Sequence, residues 1–183
     1  MTPRERLLLF ALAHASCPKR VLEIGSCEGG STLLLHRALE PSAALVVIEP
    51  APRWTADTRG ELEPRTVLVE GRSPAALPLA SHRAGGHFDF VFVDGDHTAA
   101  GVEGDLIGIT TYLEPGATVL LHDAHYWGVS DGIARVLALG VGYADAGLLA
   151  VEPTPEVGRV EAGRPVIWGG LRMLRFCPKP LRP

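Results

Sequence analysis

The feature that most constrains the fold is the segment at residues 88–97, which reads FDFVFVDGDH. Its first half is rich in valine and phenylalanine, as expected of a strand that is buried on both faces of a parallel sheet. Its second half places Asp94, Asp96 and His97 around one glycine. Because such sheets bind ligands at the carboxyl ends of their strands, these three side chains are candidates for chemistry. The alternative is a turn at the glycine, with Thr98 or Asp96 capping the next helix.

Short β-rich apolar runs alternate with helical patterns from residue 20 onward. The predicted strands lie at 21–24, 45–48, 66–69, 88–93 and 118–121. The predicted helices lie between and after them, at 31–39, 52–62, 74–82, 99–112 and 129–139. This order predicts an α/β fold in which helices cover both faces of a parallel sheet and the crossovers are right-handed.

The two ends of the chain depart from this alternation. Apolar runs at 148–151 and 166–176, separated by a loop with proline and glycine, predict a closing hairpin with an antiparallel strand. At the other end, Arg4 and Arg6 precede an apolar run at 7–13, which has some signal-peptide character. Glu5 interrupts the basic part, so the pattern favours a short leading helix within residues 1–19. The side chains expected to face the sheet are Leu7, Leu8, Phe10, Ala11 and Leu12.

Composition narrows the class of protein. With 183 residues, 46% of them hydrophobic, the chain suits one domain, with a core at 20–177 and a tail at 178–183. A net charge of −4 and a pI near 6.0 argue against a nucleic-acid partner. The three cysteines lack metal or disulfide spacing, which favours a reducing compartment. No apolar run is long enough for a membrane helix, so the expected location is cytoplasmic.

The first strand leads into a glycine turn with the spacing E-x-G-x-x-x-G, formed by Glu23, Gly25 and Gly29. Glycines let backbone N–H groups approach a ligand at the start of a helix, which suits an anionic or polar group. The spacing is not G-x-G-x-x-G, which disfavours a dinucleotide. The second strand ends at Glu49, where a carboxylate can accept hydrogen bonds from ribose hydroxyls or simply face solvent.

The glycine turn followed by an acid at the end of the second strand resembles class I S-adenosylmethionine-dependent methyltransferases. The resemblance implies that the turn borders the methionine part of the cofactor and that Glu49 holds its ribose. The family often has an aspartate after the third strand to meet the adenine amine, but Arg72 stands there in this chain. Ser73 or backbone groups are then left to supply the adenine contact. The implied cofactor contacts are Glu23, Gly25, Ser26, Gly29, Glu49, Gly71, Arg72, Ser73 and Asp94.

Three further features narrow the resemblance to one group of these enzymes. They are the D-G-D-H segment, the helix that contains Asp105, and the pair His122-Asp123. These features resemble small-molecule O-methyltransferases related to macrocin, mycinamicin and cephalosporin-hydroxylase-associated enzymes. In metal-dependent members, the corresponding residues imply that Asp94, His122 and Asp123 bind the metal and that His97 is the general base. His122 stands where those members often have glutamate, and an imidazole shifts the preference from Mg²⁺ toward a transition metal.

The resemblance implies a Rossmann-like fold with a seven-stranded sheet, and methyl transfer from S-adenosylmethionine to a hydroxyl of a small molecule. A sugar or another secondary metabolite is the favoured acceptor, with Asp94 and His97 as catalytic residues and Mg²⁺ or another divalent metal assisting. One alternative is a metal-independent enzyme in which Asp94 contacts the cofactor's amino group. Another is a non-catalytic S-adenosylmethionine-binding protein. Because no lid is evident, a second subunit is an option for closing the substrate side, which makes a homodimer an expected assembly.

Overall fold

The computed structural model describes residues 1–178, so the predicted tail lies outside the described residues except for Pro178. The strands in this part of the chain are β1 (Arg20–Ile24), β2 (Ala44–Glu49), β3 (Thr66–Glu70), β4 (Phe88–Val93), β5 (Leu113–Leu121), β6 (Tyr143–Ala150), β7 (Thr154–Glu161), β8 (Arg164–Trp168) and β9 (Leu171–Phe176). The helices are α1 (Pro3–Ser16), α2 (Gly30–Ala38), α3 (Ala56–Leu62), α4 (Leu77–Ala84), α5 (Ala99–Ile109), a 3₁₀ turn (Thr110–Tyr112) and α6 (Trp127–Leu139).

Seven strands form the main sheet in the order β3-β2-β1-β4-β5-β9-β6. The pairs from β3 to β5 are parallel, and β9 lies antiparallel between β5 and β6. Strand β4 contributes Val91 to one apolar core and Phe90 to the other. The predicted α/β fold is therefore confirmed, including helices on both faces of a mostly parallel sheet. Among residues 1–178, no helix is both long enough and apolar enough to cross a membrane.

The carboxyl-terminal prediction was wrong in one respect. The apolar run at 166–176 is not one strand, because Gly169 and Gly170 have φ values of +82° and +88° and break it in two. Strand β8 pairs only with β7, in a separate two-stranded sheet, and β9 joins the main sheet. The side chains of β7 are almost all exposed, so its sequence lacks the alternation that predicts a half-buried strand. The sequence therefore predicts a loop where β7 lies and places the end of β8, at 166–168, in the closing strand.

The leading helix α1 is confirmed, but its buried face differs from the prediction. The buried residues are Glu5, Leu9 and Ala13, which are spaced by four and lie on one face. Leu7, which was expected to face the sheet, is 67% exposed. Ala11 is also exposed, and the other three predicted residues are half-buried. The helix thus carries a carboxylate, rather than a continuous apolar stripe, into the interior.

Candidate active site

The carboxyl ends of β1 to β4 border a cavity of about 550 Å³. Most of the predicted cofactor and catalytic residues line it, namely Gly25, Ser26, Glu49, Gly71, Arg72, Ser73, Asp94 and His97. The lining does not include Glu23, which lies beneath the turn, or Gly29, which is the N-cap of α2. It also does not include the predicted metal ligands His122 and Asp123. The predicted residues therefore lie at one edge of the sheet, some of them lining the cavity and the others next to it.

The turn after β1 depends on a glycine at position 25. Gly25 has a φ of +87°, and a Cβ atom there would lie 2.3 Å from the carbonyl oxygen of Asp94. The turns after β1 and β4 thus approach each other too closely for any side chain at this position. Behind this turn, the Trp54 indole donates a hydrogen bond to Ser26 Oγ at 3.1 Å. The turn presents backbone to the cavity.

Glu49 fixes the same turn from the end of β2. Its Oε2 accepts hydrogen bonds from the backbone N–H groups of Ser26 and Cys27, both at 2.9 Å. Its Oε1 accepts one from Ala51, also at 2.9 Å. Burial opposes the charge of Glu49, but these three N–H groups outweigh it and hold the pKa of the carboxyl below its usual range. An ionised acceptor therefore stands at the edge of the cavity.

Glu23 lies beneath the turn and is fully buried. It accepts hydrogen bonds from Ser31 Oγ and Thr32 Oγ1, both at 2.5 Å, and so ties the start of α2 to β1. Burial raises the pKa of Glu23 to about 8, and the nearby charges of Asp94 and Glu49 act in the same direction. Its observed contacts are structural.

Helix α5 contributes to the cavity lining an acid that the sequence analysis placed only within a motif. Asp105 is 4% exposed and lines the cavity together with Ser73. Among the described residues, Ser73 Oγ is buried and makes no hydrogen bond of good geometry. Burial raises the pKa of Asp105 to about 6, and the nearby Ser73 hydroxyl opposes this shift. A carboxyl group and a hydroxyl therefore lie together where the third strand ends in Arg72 instead of an aspartate.

Two aspartates and two histidines converge beyond the ends of β4 and β5. His97 Nε2 lies 3.1 Å from Asp123 Oδ2 and 3.4 Å from Asp94 Oδ1. His122 Nδ1 lies 3.1 Å from Asp94 Oδ1 and 3.3 Å from Asp123 Oδ2. Asp96 lies apart from this cluster and accepts a hydrogen bond from the backbone N–H of Thr98, the residue that caps α5. The local structural role predicted for Asp96 is thus observed, although its side chain also borders the cavity.

The charges of this cluster support one another. Burial opposes the protonation of both histidines, but the neighbouring Asp123 and Asp94 outweigh it and raise the pKa of His97 to about 9 and that of His122 to about 10. Burial likewise opposes ionisation of the aspartates, but the two imidazoles hold the pKa values of Asp94 and Asp123 below the usual range. The cluster is therefore an alternating set of anions and cations at neutral pH.

The same donor atoms fit a divalent cation. Donor atoms of Asp94, His97 and Asp123 all lie within 4.8 Å of one another. Within the described residues, His97 Nε2 is buried and its ion pair with Asp123 lacks good hydrogen-bond geometry, so the nitrogen would be available to a metal ion once the ring loses its proton. The sequence analysis had named His122 as the imidazole ligand, whereas this grouping contains His97. Carboxylates combined with imidazole suit transition metals better than Mg²⁺.

Two residues of this site were not recognised in the sequence. His122 Nε2 donates a hydrogen bond to Glu5 Oε2 at 3.3 Å across the sheet edge. Trp168, from β8, stacks on Tyr126 with ring centroids 4.6 Å apart, and its centroid lies 5.7 Å from that of His97. The spacing of Glu5 with Leu9 and Ala13 was the available signal for Glu5. Trp168 offered no signal beyond its aromatic type.

Two curated relatives match about half of this chain. Catechol O-methyltransferase from Mycobacterium tuberculosis is 38% identical over 93 residues, which is 48% of this chain and 41% of that protein. The enzyme of the same name from Niastella koreensis is 29% identical over 101 residues, or 52% of this chain and 46% of the relative. The chain thus matches less than half the length of these relatives.

Solved structures share the fold over nearly the whole chain. Cofactor-bound Rv0187 from MTB is 25% identical with a TM-score of 0.70, and the match covers 98% of this chain and 82% of that one. The O-methyltransferase from Bacillus cereus in complex with SAH is 19% identical with a TM-score of 0.71, covering 96% and 82%. A family model described as "Methyltransferase domain" matches residues 22–124, more than half of the sequence. The chain therefore belongs to the family of methyltransferase domains.

Proposed function

We propose that the chain is an S-adenosylmethionine-dependent O-methyltransferase of the D-G-D-H group that acts on a hydroxyl of a small molecule. The observation that carries the proposal is the position of Asp94 and His97. Both line the cavity beside the glycine turn, and both belong to the cluster that contains Asp123. A methyl donor held by the turn would therefore meet a group that can accept a proton.

The cavity has the features that a nucleoside with a charged amino-acid tail requires. S-adenosylmethionine would supply an electrophilic methyl group on its sulfur. The backbone at Gly25 leaves room for close approach, and Glu49 Oε1 keeps a lone pair for a ribose hydroxyl beyond its bond to Ala51. Asp105 and Ser73 also line the cavity, where they can accept a hydrogen bond from the adenine amino group.

His97 is the residue best placed to take the proton of the acceptor hydroxyl. A neutral hydroxyl is a weak nucleophile, so its deprotonation assists methyl transfer. Because Asp94 and Asp123 raise the pKa of His97 to about 9, its ring holds a proton at neutral pH. The ring becomes a base when the charge of the two carboxylates is compensated from another source. A cation beside the carboxylates would provide that compensation.

We assign Asp94, His122 and Asp123 as the metal ligands, because His97 then remains free to act as the base. His122 Nδ1 lies within 3.3 Å of an oxygen of each aspartate, so the three donors face a common point. A divalent ion bound there would orient the acceptor and favour its deprotonated form. The imidazole supports a transition metal such as Mn²⁺ or Fe²⁺ over Mg²⁺.

The acceptor is proposed to be a small hydroxylated molecule. Resemblance to the D-G-D-H group favours a hydroxyl of a sugar or another secondary metabolite. The names of the two curated relatives favour a catechol. Both kinds of acceptor carry a hydroxyl that a base at His97 can deprotonate, so both belong in one test.

The proposal is tested by calorimetric titration with S-adenosylhomocysteine and by transfer of a labelled methyl group to catechols, phenols and sugars. Binding, together with transfer that chelation abolishes and that Mn²⁺ or Fe²⁺ restores more fully than Mg²⁺, is the expected result. Absence of S-adenosylhomocysteine binding by the folded protein would overturn the proposal. Binding without transfer to any acceptor would instead identify a non-catalytic cofactor-binding protein.

A metal-independent methyltransferase is the second candidate. The ion pairs of His97 and His122 with Asp94 and Asp123 neutralise the two carboxylates without any cation. In that case Asp94 would contact the amino group of the cofactor. Methyl transfer that persists at an undiminished rate after complete chelation would select this candidate.

A further inference from the structure

Glu5 is a buried acid whose contacts exceed what its helix needs. It is the third residue of α1 and completes a capping box, in which the N-cap backbone N–H of Thr2 donates to Glu5 Oε2 at 2.6 Å. Such boxes function at exposed helix ends. Glu5 is only 1% exposed and makes two further hydrogen bonds, with the backbone of Gly170 and with the ring of His122. Helix capping alone leaves its burial unexplained.

Burial of an uncompensated carboxylate costs several kcal/mol, so a glutamate in this position must be paired. Its side-chain hydrogen-bond partner is His122, whose Nε2 lies 3.3 Å from Glu5 Oε2. An aliphatic side chain of similar size would anchor α1 to the sheet at a lower cost. The presence of a charge here is therefore tied to the histidine.

The contact also determines which way the imidazole faces. A carboxylate oxygen can only accept, so His122 Nε2 carries the proton that lies between the two groups. The other ring nitrogen, Nδ1, then lies 3.1 Å from Asp94 Oδ1 and 3.3 Å from Asp123 Oδ2. Carboxylates that orient a functional histidine through its remote nitrogen act in the same way at metal sites.

A second link joins Glu5 to the same cluster through the turn between β8 and β9. Gly169 N–H donates to Asp123 Oδ1 at 2.6 Å, and Gly170 N–H donates to Glu5 Oε1 at 2.7 Å. Each acid thus uses one oxygen for this turn and presents the other to His122. Glu5 and Asp123 therefore contact the imidazole from two sides, and both are fixed by the same backbone turn at Gly169 and Gly170.

We propose that Glu5 is a positioning residue that orients His122 so that Nδ1 faces the Asp94–Asp123 pair, which makes the leading helix a part of the reaction site. The proposal rests on the proposed function for its effect on catalysis. Its effect on the His122 ring is independent of that function. The two can therefore be tested separately.

The test compares Glu5→Gln with the wild-type protein and with two controls. Glu152→Gln is the matched control. Glu152 is exposed, pairs with Arg4 of α1, the helix that carries Glu5, and does not contact His122. Thr2→Ala removes the hydroxyl that accepts the Glu5 backbone N–H and so controls for loss of the helix cap. For Glu5→Gln, kcat at saturating donor should fall roughly 10–100-fold while the donor KM changes less than threefold. Both controls should stay within about twofold of wild type.

The second readout is the ring ¹⁵N spectrum of His122 in the S-adenosylhomocysteine-bound protein, identified by its absence in His122→Asn. The proposal expects Glu5→Gln to move these signals and Glu152→Gln to leave them in place. Unmoved His122 signals in folded Glu5→Gln, or equal losses of kcat in Thr2→Ala, would overturn it. If Glu5→Gln does not fold, Glu5→Asp replaces it, since it keeps the charge one methylene further from His122. A wild-type protein that binds no cofactor would refute the proposed function, while the His122 spectra of the unliganded protein still decide the role of Glu5.

Discussion

The two sides of the site are built in different ways. We call the side proposed to hold the methyl donor the donor side. It consists of the turn at 25–29, Glu49 and the loop at 71–73, and backbone N–H groups near the strand ends hold it in place. The acceptor side, defined as Asp94, His97, His122 and Asp123, is held by side chains that contact one another and Glu5. A site built from backbone depends on chain geometry, whereas one built from side chains depends on a few ionisable atoms. Substitutions should therefore change donor affinity on one side and turnover on the other.

The largest effect is expected at His97. His97→Ala should lower turnover roughly 10²- to 10⁴-fold, because the proposed base is lost. Affinity for S-adenosylhomocysteine should stay within about twofold, since the donor side remains intact. Initial rates at saturating donor and calorimetry measure the two quantities. His82→Ala, at an exposed histidine of α4, is the control. Unchanged turnover would remove His97 from the mechanism, and a large loss of affinity would abolish the division between the two sides.

The complementary effect is expected at Glu49. Glu49→Gln removes the charge that accepts three backbone N–H groups, and hydrogen bonds to charged groups contribute ~1.5–3 kcal/mol. The dissociation constant for S-adenosylhomocysteine should rise roughly 10–100-fold, while kcat at saturating donor changes by a few-fold at most. The control is Glu70→Gln, since Glu70 pairs with Glu49 in the sheet register but is exposed. Equal losses in both variants would contradict a specific role for Glu49.

The same difference explains what the sequence could predict. The donor side follows from contacts between residues close in sequence to the strand ends, so apolar runs and glycine spacing identified Gly25 and Glu49. The parallel sheet was predictable for the same reason, because each strand and helix carries its own periodicity. Glu5 could not be placed, because its contact with His122 joins residues 117 positions apart. Local periodicity even suggested the wrong face of α1, with Leu7 inside.

Trp168 shows a second reason for incomplete prediction. It belongs to a hairpin whose other strand, β7, is nearly all exposed and therefore has no hydrophobic pattern. The tryptophan reaches His97 only because Gly169 and Gly170 turn the chain between two different sheets. Neither the separate sheet nor its contact with the acceptor side follows from residue spacing. The position of Asp94 and His97 at the cavity was predictable, whereas the residues that support them were not.

A smaller effect on donor affinity is expected at Asp105, where pH provides the test. An adenine amino group donates a stronger hydrogen bond to the ionised carboxylate than to the neutral acid, so this charge-assisted contribution is present above the pKa of about 6 and is lost as the pH falls through it. Affinity for S-adenosylhomocysteine should therefore weaken between pH 7 and pH 5. Asp105→Asn should bind about tenfold more weakly at pH 7 and lose this dependence. Glu103→Gln, on the same helix, is the control. A pH dependence that persists in Asp105→Asn would contradict the assignment.

The smallest effect on function is expected at Glu23, which supports the donor side without lining the cavity. Burial raises its pKa in the folded protein to about 8, from 4.5 for an unperturbed carboxyl. The folded state therefore retains a proton that the unfolded state releases. The stabilisation that this proton gives the folded state is fully present below pH 4.5 and is lost as the pH rises toward 8. Glu23→Gln resembles the protonated form. Its melting temperature should equal that of the wild type near pH 4.5. Near pH 8.5 it should be several degrees higher, because each kcal/mol of added stability raises the melting temperature by ~2–4 °C. Donor affinity should change less than in Glu49→Gln. A melting temperature that falls equally at both pH values would show that the Ser31 and Thr32 hydrogen bonds need the ionised carboxylate.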